Sequence, residues 1–541
     1  MAKPFLSRLY PGFRKFTEEQ LKRNKRLVDI GIALTAERNL DRLFEKILEE
    51  ARELTNADAG TLYLVSDSEP LLNFAIIQND TLGIYMGGSG AKISWPPVRL
   101  KNDDGTPNYA NVSAYAALSG KIVNIPDVYN AEGFNFEGTR HYDVETGYRS
   151  KSMLVIPMRN HENDIIGVLQ LLNARDPQTG EVITFTGEFV ELTKSLASQA
   201  AVALSNRQLV TGLENLLEAF TKTIATAIDE KSPFTGGHVR RVTELTMRIA
   251  HKINEQTEGP FGKVGFSDDD LNELRFSAWL HDLGKITTPE YIIDKSTKLQ
   301  TIYDRIDSLK TRIEIAKRDS NNHIYDYVQL EKTAECGVSE NNDLQMEALD
   351  ADFQFLAEVN SGLEYLTDED LERLKAISRK KWKIDNEWRP LLDEQELAYL
   401  SIRRGNLTHE ERQIMNNHAD VTYRLLSQLP FPKKMQNIAS HAAAHHEKLD
   451  GTGYPFGLQG KEISLQSRII AIADIFEALT AKDRPYKKGK TIAEARQIMA
   501  QMVEDRHIDG DVFALFINEN IDIDYARREM DLCPDLSGLE P

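Results

Sequence analysis

Cysteine is nearly absent: among 541 residues only Cys336 and Cys533 occur. Two thiols cannot build a disulfide framework or a cysteine-based zinc site, and such usage fits a reducing compartment. Long apolar runs are missing too. The N-terminal stretch "MAKPFLSRLYPGFRKFTEEQ" is broken by proline and charge and does not read as a signal peptide. No run elsewhere approaches the roughly 20 apolar residues that span a bilayer, so the expected location is the cytoplasm. Positive charge is in deficit, with 65 Lys and Arg against 84 Asp and Glu, net -19. That balance argues against a nucleic-acid polymer or an anionic membrane as main partner. A small anionic ligand stays open, because a few Lys and Arg can dominate one cleft. What is present is ordinary for a globular chain, 41% apolar and 28% charged, and its length suffices for two or three cores.

Residues 1–25 are basic and read as an N-terminal helical segment. After them Leu43, Ile47 and Ala51 recur at helical spacing. The short runs "AGTLYLVS", "LLNFAIIQ", "KIVNIPDV", "SMLVIPMR" and "IIGVLQLLNA" read as strands separated by Gly, Asn, Asp or Pro. A closing helix from about Phe185 completes an α+β domain of sensor size, residues 26–208. Leu209, Leu213, Leu216, Phe220 and Ala227 then mark a helical seam, read as a linker helix over 209–228. Such a seam serves a parallel homodimer or, alternatively, an intramolecular packing face. From about 222 to 530 the pattern is almost wholly helical. A section at about 294–405, with Ile302, Ile306, Leu309, Ile313 and Ala316 in register, reads as an inserted helical hairpin.

The chemistry-bearing residues fall in that second half. "HHEKLDGTGYP" sets His445 and His446 beside acids and a glycine-rich turn, as a metal and a ligand would ask. "SPFTGGHVRRV" gives His238, "SAWLHDLGKI" gives His281, Asp282 and Lys285, and "LTHEERQIMNNHADV" gives His418. Asp474 sits inside the apolar stretch "IIAIADIF". A carboxylate buried there is costly without a cation beside it. Five imidazoles and two carboxylates are too many for one ion and suit two, one carboxylate bridging. Nitrogen and oxygen donors without thiolate fit iron, manganese or zinc. A pair of such ions activates water and clamps a phosphate. Lys285, at i+4 from His281, would then neutralise a phosphate oxygen.

The first half resembles a GAF domain, in "ADAGTLYLV", the pair "IPM…IIGVLQLLN" and the exit helix "FTGEFVELTKSLASQAAVALSNRQL". The resemblance implies a small-molecule ligand. Asn173 and Phe185 match part of the cyclic-nucleotide signature of that family, while Ala174 replaces its Lys and its acidic pair is missing. The second half resembles the HD-GYP subgroup of the HD phosphohydrolases, through His281-Asp282 with Lys285, His445-His446-Glu447, Asp450-Gly451 and Gly453-Tyr454-Pro455. That resemblance implies an all-helical phosphodiesterase that opens cyclic di-GMP to pGpG and in some members continues to GMP. It implies metal ligands at His238, His281, Asp282, His418, His445, His446 and Asp474, with Asp282 bridging two divalent ions, iron or manganese before zinc. Asp282 and Lys285 would serve catalysis. Arg241, Gly453, Tyr454, Pro455, Arg484 and Lys487 would meet the substrate. Ser232 stands where many members have Asp, and Phe234 where some supply an acid for a third metal, so two ions are expected. "TAKDRPY" is one residue longer than the usual spacing before Arg484. Two alternatives accompany this reading: hydrolysis of another cyclic dinucleotide or phosphoester, and a non-catalytic nucleotide sensor.

Overall fold

The computed structural model describes residues 11–37, 39–66, 68–231, 237–330, 338–385, 387–481 and 489–529. The chain divides into two compact units, Met1–Leu216 and Leu217–Pro541.

The first unit is an antiparallel sheet with helices on both faces. Its strands are β1 (Ala57–Val65), β2 (Leu71–Asn79), β3 (Ile84–Gly87), β4 (Val98–Arg99), β5 (Val123–Ile125), β6 (Met153–Arg159), β7 (Ile165–Arg175) and β8 (Val182–Ile183). The main path runs β3-β2-β1-β7-β6-β5, with β4 on β2 and β8 on β7. The helix Leu40–Thr55 is capped by the Asn39 side chain and ends at Asn56, which adopts φ 50. Its stripe Leu43, Ile47, Leu48 and Ala51 is buried against Leu62, Leu169 and Leu171 of the sheet. The same layer takes Leu196, Ala200 and Leu204 from the helix Gly187–Asp229. A preceding helix, Pro11–Ala36, runs through the 25/26 division expected from sequence and buries Leu27, Ile30 and Leu34. The sheet's other side holds a second cluster, including Leu72, Val155 and Val168, beneath the helix Val112–Ser119.

The second unit is built on the helices His238–Glu255, Asp268–Leu280, His409–Leu426 and Leu465–Thr480, with Ile492–Glu504 and Gly510–Asn518 packed outside. Val242, Leu245 and Ile249 meet Ile469, Ile472 and Phe476 in its core. The inserted section has a core of its own, where Leu309, Ile313, Leu356, Leu374 and Leu400 converge. It contains the expected pair of long helices, Ile306–Leu330 and Val338–Ser361. Two details differ from the sequence reading. Ile302 precedes the first of these helices and is exposed rather than in the seam. The region is also not wholly helical, since β9 (Lys381–Ile384) and β10 (Glu387–Pro390) form an antiparallel pair. "KWKI" alternates charged and apolar residues at the strand period, and Asp385 takes the left-handed φ of 49 that a tight turn needs.

Candidate metal centre

Three helix ends and two helix interiors converge on a buried polar cluster. His281 closes the helix Asp268–Leu280, and Asp282 opens the 3-10 turn Leu283–Thr287. His238 begins its helix, and His418 lies midway along His409–Leu426. His445 and His446 occupy a short 3-10 turn after Ile438–Ala443, and Asp474 lies on Leu465–Thr480. Seven predicted positions thus meet in one place. Ligand atoms of His238, His281 and Asp282 all fall within 4.8 Å of one another, as do those of His418, His445 and His446.

Asp282 faces both groups. Its Oδ1 is 3.3 Å from His418 Nε2, while its Oδ2 is 3.3 Å from His281 Nε2 and 3.6 Å from His238 Nε2. Asp474 Oδ1 stands 3.3 Å from His238 Nε2 and 3.9 Å from His281 Nε2. Each of three imidazoles donates Nδ1–H to the carbonyl three residues earlier: His281 to Ala278, His418 to Met415, and His445 to Ala442. That bond fixes the tautomer and turns Nε2 inward. Among the described residues, Nε2 of His281, His418 and His445, together with Asp282 Oδ1, is buried without a hydrogen-bond partner. Buried polar atoms left so are costly, and four of them aimed at one another form what a cation resolves. The donor set fits two divalent ions.

Charge within the cluster is divided. Burial pulls His238 down, but the Glu477 carboxylate beside it, with Asp282 and Asp474, holds it well above its ordinary value. Burial pushes Asp282 up, yet the Lys285 ammonium and His281 keep it well below the carboxylate range. On the other side burial dominates. It lowers His418, drives His445 well down with help from His446, and takes His446 to about 3. Neutral imidazoles are the form in which histidine ligates a metal.

Lys285 does not extend the helix of His281. The helix ends first, and in the 3-10 turn Lys285 reaches back to Asp282 Oδ2 at 2.5 Å. The reason is contact: a Cβ on Gly284 would lie 1.9 Å from the His418 carbonyl oxygen, so the turn sits flat against that helix. The Gly284 N–H donates to Thr422 Oγ1 at 2.8 Å, which in turn donates to the His281 carbonyl at 3.2 Å.

The residues expected at the substrate are only partly gathered. The Tyr454 ring lies 4.9 Å from His446 and 6.4 Å from His418, so it walls the cluster. Gly453 packs so closely that a Cβ would be 2.4 Å from the Lys448 nitrogen, and Pro455 follows in the same loop. Arg241 Nε donates to Glu477 Oε1 at 2.7 Å rather than standing open in the cleft. Arg484 and Lys487 lie outside the described residues, as do Ser232 and Phe234.

Two carboxylates hold positions whose roles the sequence left unassigned, Glu477 unnamed there and Glu447 named only within its motif. Glu477 accepts from His238 Nδ1 at 2.5 Å and aims that ring. Its spacing of three from Asp474 on one apolar helix is the signal that would have found it. Glu447 accepts the backbone N–H groups of Phe456, Gly457 and Leu458 at 2.6, 3.1 and 2.9 Å and fastens the loop bearing Tyr454.

The first unit holds a cavity of about 830 Å³, whose lining includes Tyr63, Phe74, Trp95, Tyr142, Asn111 and Gln170. No Lys or Arg lines it among the described residues. Asn173, a fragment of the cyclic-nucleotide signature, is not in its wall. Its side chain donates to Tyr148 Oη and the Arg149 carbonyl and accepts from Lys151 N–H. Phe185 is core.

Residues 39–204 match the GAF domain family, and 235–346 and 395–512 match two HD domain families. A 3'3'-cGAMP-specific phosphodiesterase of Vibrio cholerae is 46% identical over 111 residues, 20% of this chain and 23% of that protein. A cyclic di-GMP phosphodiesterase of Pseudomonas aeruginosa is 40% identical over 113 residues, 21% of this chain and 26% of the other. One from Thermotoga maritima is 38% identical over 132 residues, 24% of this chain and 35% of the other. The chain thus spans about a quarter to a third of these curated relatives. By its sequence matches and its architecture, the chain carries a GAF domain followed by a largely helical HD domain.

Proposed function

We propose that the second unit is a metal-dependent phosphodiesterase for a cyclic dinucleotide, cyclic di-GMP first, regulated by a small molecule in the GAF cavity. The observation that carries this reading is Asp282, one oxygen toward each histidine group. The relatives, named for cyclic di-GMP and 3'3'-cGAMP, supply the substrate class. In this reading residues 26–208 form the sensor, 209–228 the linker and 222–530 the hydrolase with its insertion at about 294–405. Among the described residues no helix is long and apolar enough to cross a membrane, and the reading places the chain in the cytoplasm.

His238, His281, Asp282 and Asp474 would hold one ion, and His418, His445, His446 and Asp282 the other, iron or manganese. Bound there, two divalent ions supply Lewis acidity and a nucleophile at neutral pH. The chain's own residues do the rest. Lys285 keeps Asp282 ionised and presents positive charge for a phosphate oxygen. Tyr454 gives a flat wall for a base, and the Glu447 clamp holds that wall in place. Hydrolysis of one phosphodiester would give the linear dinucleotide pGpG, and of the second, GMP.

Among the described residues the cavity in the first unit offers aromatic faces and amides and no Lys or Arg for a phosphate, which favours an uncharged planar ligand over a cyclic nucleotide. Val202, Leu209, Leu213, Leu216 and Phe220 are exposed along one helix, which supports a parallel homodimer through that seam.

The test is anaerobic turnover by protein loaded with Fe(II) or Mn(II), offered cyclic di-GMP, 3'3'-cGAMP and bis(p-nitrophenyl) phosphate, with products separated by chromatography. Metal-dependent cleavage of cyclic di-GMP ahead of the others is expected. Cleavage of 3'3'-cGAMP alone would move the substrate. Two bound metals with tight dinucleotide binding and no product would instead make the unit a receptor.

A further inference from the structure

The long helix Gly187–Asp229 ends against the segments that carry the histidines. Within the second unit Glu218 pairs with Arg275 at 3.6 Å, and Lys222 Nζ lies 5.9 Å from the Trp279 ring centre. Both partners belong to the helix that leads into His281. Ala225 and Ile228 are buried. Two charged side chains then tie down the exit. The Asp229 carboxylate accepts the Val239 N–H at 3.2 Å. Val239 follows His238, which opens a helix whose own N-cap, Gly237, offers no side chain. The first N–H groups of a helix lack partners along the chain, and a carboxylate is the favoured acceptor there.

Lys231 grips the other segment. Its Nζ donates to the carbonyls of Lys285, Ile286 and Thr288 at 3.1, 2.7 and 2.7 Å. An ammonium has three donors, and here each is spent on the C-terminal end of the turn Leu283–Thr287 that follows Asp282. Carbonyls at such an end attract a cation, and that of Lys285 also accepts the Thr288 N–H at 3.1 Å.

We propose that Asp229 and Lys231 form a clasp that fastens the end of the long helix to both the His238 helix and the Asp282–Lys285 turn. The clasp rests on the metal-centre reading above. Both are positioning residues, since neither bonds directly to a proposed ligand atom. His418, His445 and His446 lie on other elements, so a shift of the helix end would change the spacing between the two histidine groups. The geometry of the centre then depends on where that helix ends.

The test uses the full chain, stripped of metal and titrated with Co(II), whose visible spectrum reports coordination. The wild type is expected to take up two ions. Lys231→Met should weaken at least one by about 10–100-fold, the usual cost of losing a group that supports a ligand, and alter the spectrum. Its kcat should fall about as much with KM within threefold, its circular dichroism unchanged, and Lys231→Arg should recover most of the loss. Should Lys231→Met not fold, Asp229→Ser is read by hydrogen exchange, which should quicken at residues 238–241. Wild-type Co(II) affinity and spectrum in a folded Lys231→Met, or unchanged exchange in Asp229→Ser, overturns the clasp alone. A wild-type chain that takes up no Co(II) overturns the centre itself and the clasp with it.

Discussion

At the residue scale the centre is a matter of orientation. A buried histidine can satisfy itself in many ways, but His281, His418 and His445 all spend Nδ1 on their own backbone and leave Nε2 buried in the cluster, those of His281 and His418 beside Asp282. His238 differs: it begins its helix, and its Nδ1 uses the Glu477 carboxylate instead. Glu477→Gln should therefore keep the fold while weakening metal at the His238 group by about 10–100-fold, read by metal content after dialysis. Unchanged retention would mean that Glu477 only balances Arg241. The convergence of these seven positions was legible in sequence because a metal would dictate residue type, and acids inside apolar helices stand out. Glu477 was not, because an orienting partner needs only an acceptor within reach, and many acids could supply one.

At the element scale close contact decides more than propensity. The turn Leu283–Thr287 lies on the helix of His418 only because residue 284 lacks a Cβ. Gly284→Ala must push the two apart, and we expect a loss of about 1–3 kcal/mol, typical of overpacking, together with lower metal occupancy. A chemical-denaturation midpoint equal to wild type would contradict this. Sequence spacing put Lys285 on the face of His281; the helix stop that redirects it depends on that tertiary contact and leaves little trace in local pattern. The pair β9–β10 was missed although "KWKI" alternates, since four residues are too short a run to stand out from the helical pattern around them.

The inserted section carries an unusual interior charge. Lys298 is 1% exposed and donates to the Leu400 carbonyl at 3.2 Å. Burial, opposed only in part by the charge of Asp370, lowers its pKa to about 8, against about 10.4 in an unfolded chain. Between those values the unfolded chain binds more protons, so this lysine makes stability rise with pH across that window. Below it the charged form costs the fold its full desolvation. Lys298→Met should raise the melting temperature at pH 7, and the gain should shrink as pH climbs from 8 toward 10. A gain that stays constant with pH would show that the ammonium is not what costs stability there.

At the scale of the whole molecule, the exposed stripe on Gly187–Asp229 is what a second copy would cover. Leu213 and Leu216 are each 65% exposed and Phe220 is 62% exposed. Their spacing follows a two-stranded seam. Leu213→Glu with Phe220→Glu should convert a dimer to a monomer in light scattering at micromolar concentration. A wild type that is already monomeric would remove the seam's proposed role. The division into a sheet-based unit and a helical one was legible from the change of hydrophobic period near residue 185, where strands give way to helix. The GAF ligand was not, because a cavity's lining is assembled from residues far apart in sequence, here Tyr63, Trp95 and Tyr142.

The central claim is that one carboxylate, Asp282, joins two metal ions. Low-temperature electron paramagnetic resonance of the Mn(II)-loaded chain tests it most directly, with metal content measured on the same sample. The account predicts two ions per chain and an exchange-coupled signal, replaced in Asp282→Asn by the spectrum of isolated ions or by loss of metal. One ion per chain, or two without coupling in the wild type, would contradict it.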